Sequence, residues 1–306
     1  MNKRYPRIRI FAQGGFSLLR EGLNFSFYIR RPHQEIARQV LSTLDTYSKA
    51  MGPNALGLCF DKNGEAQGLD TARWKRIQRE LLEEECPTVH LVEDSIQEDR
   101  YGFDYQGQLL TNPFQEERQD SVGIVRFRLP TEYLEEHGPG RVRELALELG
   151  APLPFCFGQA GLSFNGPTNL AGVLRLIRDQ CFRYPGMDIP GLEDLLMYLG
   201  TRVRGPSWLT FLGQPVLGEL QGVAGLRSRL HSPGTTVQEM EGERAIVTLG
   251  EGPEAGDTEQ GQTLPAYREF ARVLEPWLYH EPFASPHDDF TPEDHLRWER
   301  RFLDEP

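Results

Sequence analysis

"VGIVRFRLP" at 122–130, "GRVRELALELG" at 140–150 and "PFCFGQAGLSFNG" at 154–166 decide the fold class. The first stretch is a short β-branched run stopped by proline, which predicts a strand. The second sets Val142, Leu145, Ala146 and Leu149 on one helical face with Gly150 as its cap. The third predicts one or two strands ending in a turn. Strand, helix and strand in this order point to mixed secondary structure with a sheet at its centre.

The same order stands earlier in the chain. "RIRIFAQGGFSLLREGLNFSFYIR" (7–30) predicts two strands about a Gly-Gly turn. "PHQEIARQVLSTLDTYSKAMGP" then predicts a helix with Ile36, Val40, Leu44, Tyr47 and Met51 on one face, Gly52 as C-cap and Pro53 as stop. "ALGLCF" reads as a buried strand and "DKNG" as a turn. Both passages share related ends, "YIRRP" with "RFRLP" and "CFDKNG" with "SFNG". An internal β-α-β repeat is therefore an expectation, with halves of about 1–120 and 121–280 and an acidic tail over 281–306.

Between and beyond these passages the signals stay mixed. Helices are expected over "DTARWKRIQRELLEEE", over "TNLAGVLRLIRDQCF" with Leu170, Val173, Leu174 and Ile177 inward, and over "LPAYREFARVLEPWLYH". Strands are expected at "TVHLVED", "RYGFDYQGQLL" and "SWLTFLG", and a hairpin at "TTVQEM" with "RAIVTLGE". The expected fold class is α+β, with mainly antiparallel sheets covered by helices. No linker rich enough in Pro, Gly or Ser divides the chain, so one domain over 1–306 is expected.

Composition narrows the function. Of 306 residues, 39% are apolar and 25% charged, enough to build a core. No stretch reaches the roughly 18 apolar residues of a membrane helix. "MNKRYPRIRIFAQGG" lacks an apolar signal core, so a cytoplasmic protein is expected. Cys59, Cys86, Cys156 and Cys181 show no CxxC spacing, against a disulfide framework or a zinc site. The formal net charge of −12 argues against direct nucleic-acid binding and favours a basic partner.

Catalytic motifs are missing. There is no GxGxxG after a strand, no GxxxxGK[ST], no HExxH and no EF-hand loop. "GLSFNG" is not a GxSxG elbow, because its second glycine comes one residue late, and Ser163 reads as a plain strand residue. The best metal-like cluster is "HDDFTPEDH", with His287, Asp288, Asp289, Glu293, Asp294 and His295. Thr291 as N-cap and Pro292 at N1, with acids behind them, explain its second half as a helix start. No catalytic residue, metal or cofactor is expected.

"ELLEEECPTVHLVEDSIQED" (80–99) holds eight carboxylates and no Lys or Arg. Trp74, Ile77, Leu81 and Glu85 make a helical stripe, and Pro87 is the expected stop. Glu83, Glu84 and Glu85 then fall in the last helical turn, where the helix dipole is already negative and each costs a few tenths of a kcal/mol. Two further acidic runs follow, seven acids against Arg244 over 239–259 and eight acids against three arginines from Glu281 onward. The partner-binding candidates are Glu83, Glu84, Glu85, Glu93, Asp94, Glu98 and Asp99, with Tyr101, Phe103 and Tyr105 beside them as exposed aromatic anchors.

"GPSWLTFLGQPVLGELQGVAGLRSRL", "AIVTLGEGPEAGD", "LPAYREFARVLEPWL", "CFRYPGMDI" and the closing "WERRF" resemble the bacterial type VI immunity family. The resemblance runs over about residues 10 to 303. It implies a cytoplasmic, non-enzymatic inhibitor that binds a cognate antibacterial toxin, including nuclease toxins of the VRR-Nuc type. It carries over no contact residue. Trp208, Leu209, Phe211 and Leu212 read as a buried strand, and Gly250, Gly252 and Pro253 as turn residues. The partner expected from charge and resemblance together is a toxin with a basic cleft, without direct nucleic-acid or membrane contact. The competing readings are a metal-dependent enzyme with a dispersed site at His287, Asp288 and His295, and a scaffold protein of a secretion or defence locus.

Overall fold

A computed structural model of the chain describes residues 5–304 apart from 54, 62, 95–97, 99, 109–119, 191–194 and 281–288. One sheet organises it. β2 (Ser17–Ile29) is the long central strand and pairs along both edges. On one edge lie β7 (Gly123–Pro130) and, beyond its end, the short β1 (Arg9–Phe11). On the other lies β8 (Phe157–Asn165). From β7 the sheet continues through β6 (Gly102–Gln106), β5 (Thr88–Val92) and β3 (Leu58–Phe60) to β4 (Ala66–Gly68). From β8 it continues through β9 (Leu209–Leu212) and β11 (Arg244–Leu249) to β10 (Thr235–Met240). All these ladders are antiparallel, so the expected α+β class holds with a single sheet of eleven strands.

The strand period of two gives β2 two unlike faces. Leu19, Leu23, Phe25, Phe27 and Ile29 point one way and are all fully buried. Phe27 meets the rings of Phe211 at 5.1 Å, Phe155 at 5.7 Å and Phe127 at 6.5 Å. A phenylalanine buried like this contributes about 1.5–3 kcal/mol. Two helices pack over this apolar face, α1 (His33–Met51) and α3 (Thr131–Gly150). Val142, Leu145, Ala146 and Leu149 of α3 are all buried, as their spacing predicts. The opposite face carries Arg20, Asn24, Ser26 and Tyr28.

Charge fixes the start of β2. Glu21 is fully buried and accepts the Ile8 backbone N–H at 2.9 Å, with Arg7 and Arg9 both at 3.2 Å. Glu132, at the start of α3, bonds Arg9 and takes Arg20 at 3.0 Å. Arg9 of β1 and Arg7 just before it are thereby clamped between β2 and α3.

The strand–helix openings β2–α1 and β7–α3 lie side by side, with their strands paired over eight positions. Beyond the helices they diverge: β8 returns to the centre beside β2, while β3 goes to the far end of the sheet. α2 (Thr71–Glu83) packs on α1. α4 (Val173–Cys181) begins later than its apolar spacing suggests. Gly172, with φ 84°, sits ahead of it, and Leu170 is 44% exposed rather than inward. α5 (Leu195–Tyr198), α6 (Val216–Glu219) and α7 (Gly222–Arg227) are short. α8 (Pro265–Leu274) precedes the C-terminal α9 (Pro292–Glu299). α9 docks on α4 through Arg178–Asp294 at 2.7 Å, while Arg175 reaches Asp289 at 2.6 Å.

Candidate functional site

The acidic run begins where α2 ends. Asp70 caps the start of this helix by accepting the Arg73 N–H at 2.8 Å. Ile77 and Leu81 are buried and Trp74 packs partly against the core, as the stripe predicts. The helix stops earlier than expected, because Glu84 is already extended with ψ 150°. Glu83 alone of the three acids lies inside it. At this end His33, at the start of α1, places its Nε2 2.9 Å from the Leu81 carbonyl oxygen. One more helical residue would bring the Glu85 N–H to that same oxygen.

His33 is a junction of three elements. The Leu81 carbonyl can only accept, so Nε2 carries the proton, and Nδ1 accepts from the Tyr105 hydroxyl at 2.6 Å. His33 is 1% exposed, and burial pulls its imidazole below the ordinary pKa. The Gly107 N–H donates to the Pro87 carbonyl at 2.9 Å and the His33 N–H to Gln108 at 3.2 Å. The stretch carrying Glu83, Glu84 and Glu85 is therefore held at both ends.

The predicted residues separate into two groups. Glu83, Glu85 and Asp94 are exposed and enter no ion pair among the described residues. Glu84 is half-buried. Glu93, by contrast, is buried at 3% exposure. It accepts the Arg100 backbone N–H at 2.6 Å and the Arg100 Nε–H at 2.9 Å. Burial pushes its carboxyl up, against the pull of Arg100. Glu98 is exposed and pairs with Arg100 at 2.8 Å, and its carbonyl takes Arg20 at 3.0 Å. Asp99 lies outside the described residues.

The aromatic candidates need a correction. Phe103 is fully buried and Tyr105 is 1% exposed. In β6 both point to the helix-covered face, Phe103 against Phe127 and Tyr105 to His33. Neither is an exposed anchor. Tyr101, outside the strand, is half-buried with Arg100 over its ring at 6.0 Å. Among the described residues of the run, Leu82 is the large apolar side chain left exposed, at 48%. Sequence reasoning passed over it, although one helical step of about 100° from Leu81 takes it off the core stripe.

The other acidic runs are partly spent inside the protein. Asp257 is buried and bidentate with Arg183, at 2.8 and 2.9 Å. Glu259 pairs with the same arginine at 2.6 Å. Glu239, Glu241, Glu243 and Glu251 are exposed around the β10–β11 hairpin. Arg244, in that hairpin, turns inward instead and donates to the Ala151 carbonyl at 3.0 Å at the end of α3. In the tail, Asp294 forms a capping box with Thr291, as the helix-start reading requires. His287 and Asp288 lie outside the described residues, and no group of three or more His, Cys, Asp or Glu among the described residues could hold a metal ion. None of the four cysteines forms a disulfide, and Cys86 alone is exposed. Among the described residues no helix is long and apolar enough to cross a membrane.

The fold, a large antiparallel sheet with helices on its apolar face, is that of a known class, the type VI immunity proteins. The model of the TsiV family, type VI immunity for VRR-NUC, matches residues 39–302, and the chain belongs to this family. In fold it is similar to a solved Pseudomonas aeruginosa T6SS protein, PA0821, with a TM-score of 0.80 at 18% identity. That likeness covers 99% of this chain and 89% of the other. No curated protein sequence matches the chain.

Proposed function

We propose that this immunity protein acts by stoichiometric binding inside the cytoplasm, setting an acidic surface into a basic cleft of its VRR-NUC-type toxin. The observation that carries this reading is the state of Glu83, Glu85 and Asp94, which are exposed and not neutralised by any described neighbour. Of these, Glu83 lies in the last turn of α2, where an uncompensated acid works against stability. Exposed acids favour association with a partner of opposite charge, speeding encounter and excluding other partners. Leu82 supplies apolar contact among them, since charge alone gives rate more than affinity.

Such a surface stands in for the phosphates that a nucleic-acid cleft accepts. The inhibitor needs no chemistry of its own, and the chain offers no recognised catalytic motif for any. The test is growth rescue. The neighbouring toxin gene is expressed in a sensitive bacterium with and without this protein, and a tag reports whether the two co-purify. Rescue with a one-to-one complex is expected. Toxicity that persists, or rescue without a complex, contradicts binding as the mechanism.

A further inference from the structure

The sheet ends at β10, which pairs with β11 alone among the described strands. The direction of its backbone groups follows from its neighbour. The Leu249 N–H donates to the Trp208 carbonyl at 2.8 Å, on the β9 side. Backbone groups alternate sides along an antiparallel strand, so Val247 and Ala245 also face β9, while Thr248, Ile246 and Arg244 face β10. Their partners Thr236, Gln238 and Met240 bond inward. Thr235, Val237 and Glu239 therefore aim their N–H and C=O groups out of the sheet.

Part of this edge is occupied. The Thr235 N–H donates to the Ser232 carbonyl at 3.1 Å. Arg227, at the end of α7, donates to the Val237 carbonyl through Nη2 at 2.8 Å and Nε at 3.3 Å. Beyond that point the edge is open. The Val237 N–H and both backbone groups of Glu239 make no hydrogen bond among the described residues. Strand edges are ordinarily blunted by Lys, Pro or a bulge. β10, "TTVQEM", has none of these, and its register with β11 is unbroken from Thr235 to Met240.

The charge on this edge is acidic. Glu239 stands on the strand and Glu241 and Glu243 in the turn, all exposed. The nearby cation, Arg244, is turned inward to the Ala151 and Leu153 carbonyls, and its charge acts on Glu241. Arg244 thereby fixes the hairpin to the end of α3. A second copy of this chain is a poor occupant, because edge-to-edge pairing would gather six carboxylates. A basic strand matches both the open ladder and the charge.

We propose that the β10 edge takes an extended basic segment of the toxin as an added strand. Backbone bonds form at Val237 and Glu239, and Lys or Arg side chains lie beside Glu239, Glu241 and Glu243. The proposal rests on the toxin reading for its partner, but uses a surface separate from the acidic rim at α2.

The experiment follows amide hydrogen exchange, residue by residue, in the full chain alone and with its cognate toxin. The Val237 and Glu239 amides are expected to exchange at least tenfold more slowly in the complex. Those of Thr236 and Gln238, already bonded to β11, should change less. Glu239→Pro removes the outward N–H and leaves the ladder to β11 in place, since proline suits an edge strand whose N–H faces solvent. It is expected to bind toxin at least tenfold more weakly at an unchanged urea midpoint. Glu239→Gln removes the charge alone and should lose less. Val237→Pro repeats the backbone test if Glu239→Pro fails to fold. A complex in which the Val237 and Glu239 amides exchange as in the free chain, or native binding by a folded proline variant, overturns this proposal and leaves the toxin reading standing. No complex with the toxin overturns both.

Discussion

The imidazole of His33 joins the start of α1 to the end of α2 by donating to the Leu81 carbonyl oxygen at 2.9 Å. The bond sits at the end of α2, after which Glu84 is extended and Glu85 lies in a bend. Burial favours the neutral ring, in which the Tyr105 hydroxyl donates to the other nitrogen.

A pH dependence follows. Burial lowers the His33 pKa in the folded state. Between the ordinary histidine value of about 6.5 and that lowered value, the unfolded chain binds more protons than the folded one. This contribution to stability is therefore complete above about pH 6.5 and declines as the pH falls through that window. Urea unfolding midpoints of native protein and His33→Gln at pH 7.5 and 5.5 check it. The variant is expected to lose about 2 kcal/mol at pH 7.5, from a buried hydroxyl and carbonyl left poorly paired. The gap between the two proteins should narrow at pH 5.5.

Glu93 and Arg100 give a second pH-dependent prediction. Glu93 is buried and its carboxyl is pushed up, so Arg100→Ala strands a buried charge. Removing one member of a fully buried pair costs about 3–5 kcal/mol. Arg100 is 43% exposed, so solvent screening reduces this to about 1–2 kcal/mol. The loss should be largest at neutral pH and shrink as the pH falls and Glu93, its pKa raised by burial, takes up a proton. Chemical denaturation of the two proteins across that range checks it.

Phe103 and Leu82 separate stability from binding. Phe103→Ala empties a core site and should cost about 3–5 kcal/mol while the remaining folded protein binds toxin normally. Leu82→Ala should cost under about 1 kcal/mol, since the side chain is 48% exposed, and should speed dissociation of the complex. Calorimetry for stability and surface-based kinetics for binding read the two effects separately.

Local signals in the sequence carry much of the fold. The face of α1, its Gly52 cap, the stripe of α3 and the β10–β11 hairpin are written in residues three, four or two apart. The order of the sheet is not. β2 must pair with β7, about a hundred residues away, and with β8 further on, and no local period specifies such partners. The tie between His33 and the end of α2 was equally hidden, because forty-eight residues separate His33 from Leu81. Phe103 and Tyr105 show the remaining limit. Their alternation in "GFDYQ" shows that they share a face, but only the position of α1 shows that this face is inside. The acidic run itself was legible as charge. Its division into exposed Glu83, Glu85 and Asp94 and internal Glu93 required knowing where Arg100 turns.

The central claim is that the acidic rim brings the toxin in. The most direct measurement is the association rate constant with the cognate toxin over a series of sodium chloride concentrations, for native protein and for Glu83→Gln, Glu85→Gln and Asp94→Asn combined. Folding stability should hold or rise slightly, because a carboxylate at the end of α2 is removed. The native rate should fall steeply with salt, and the triple variant should start roughly tenfold lower with a flatter slope. Equal rates and equal salt slopes for the two proteins would contradict the account and remove this surface from the interface.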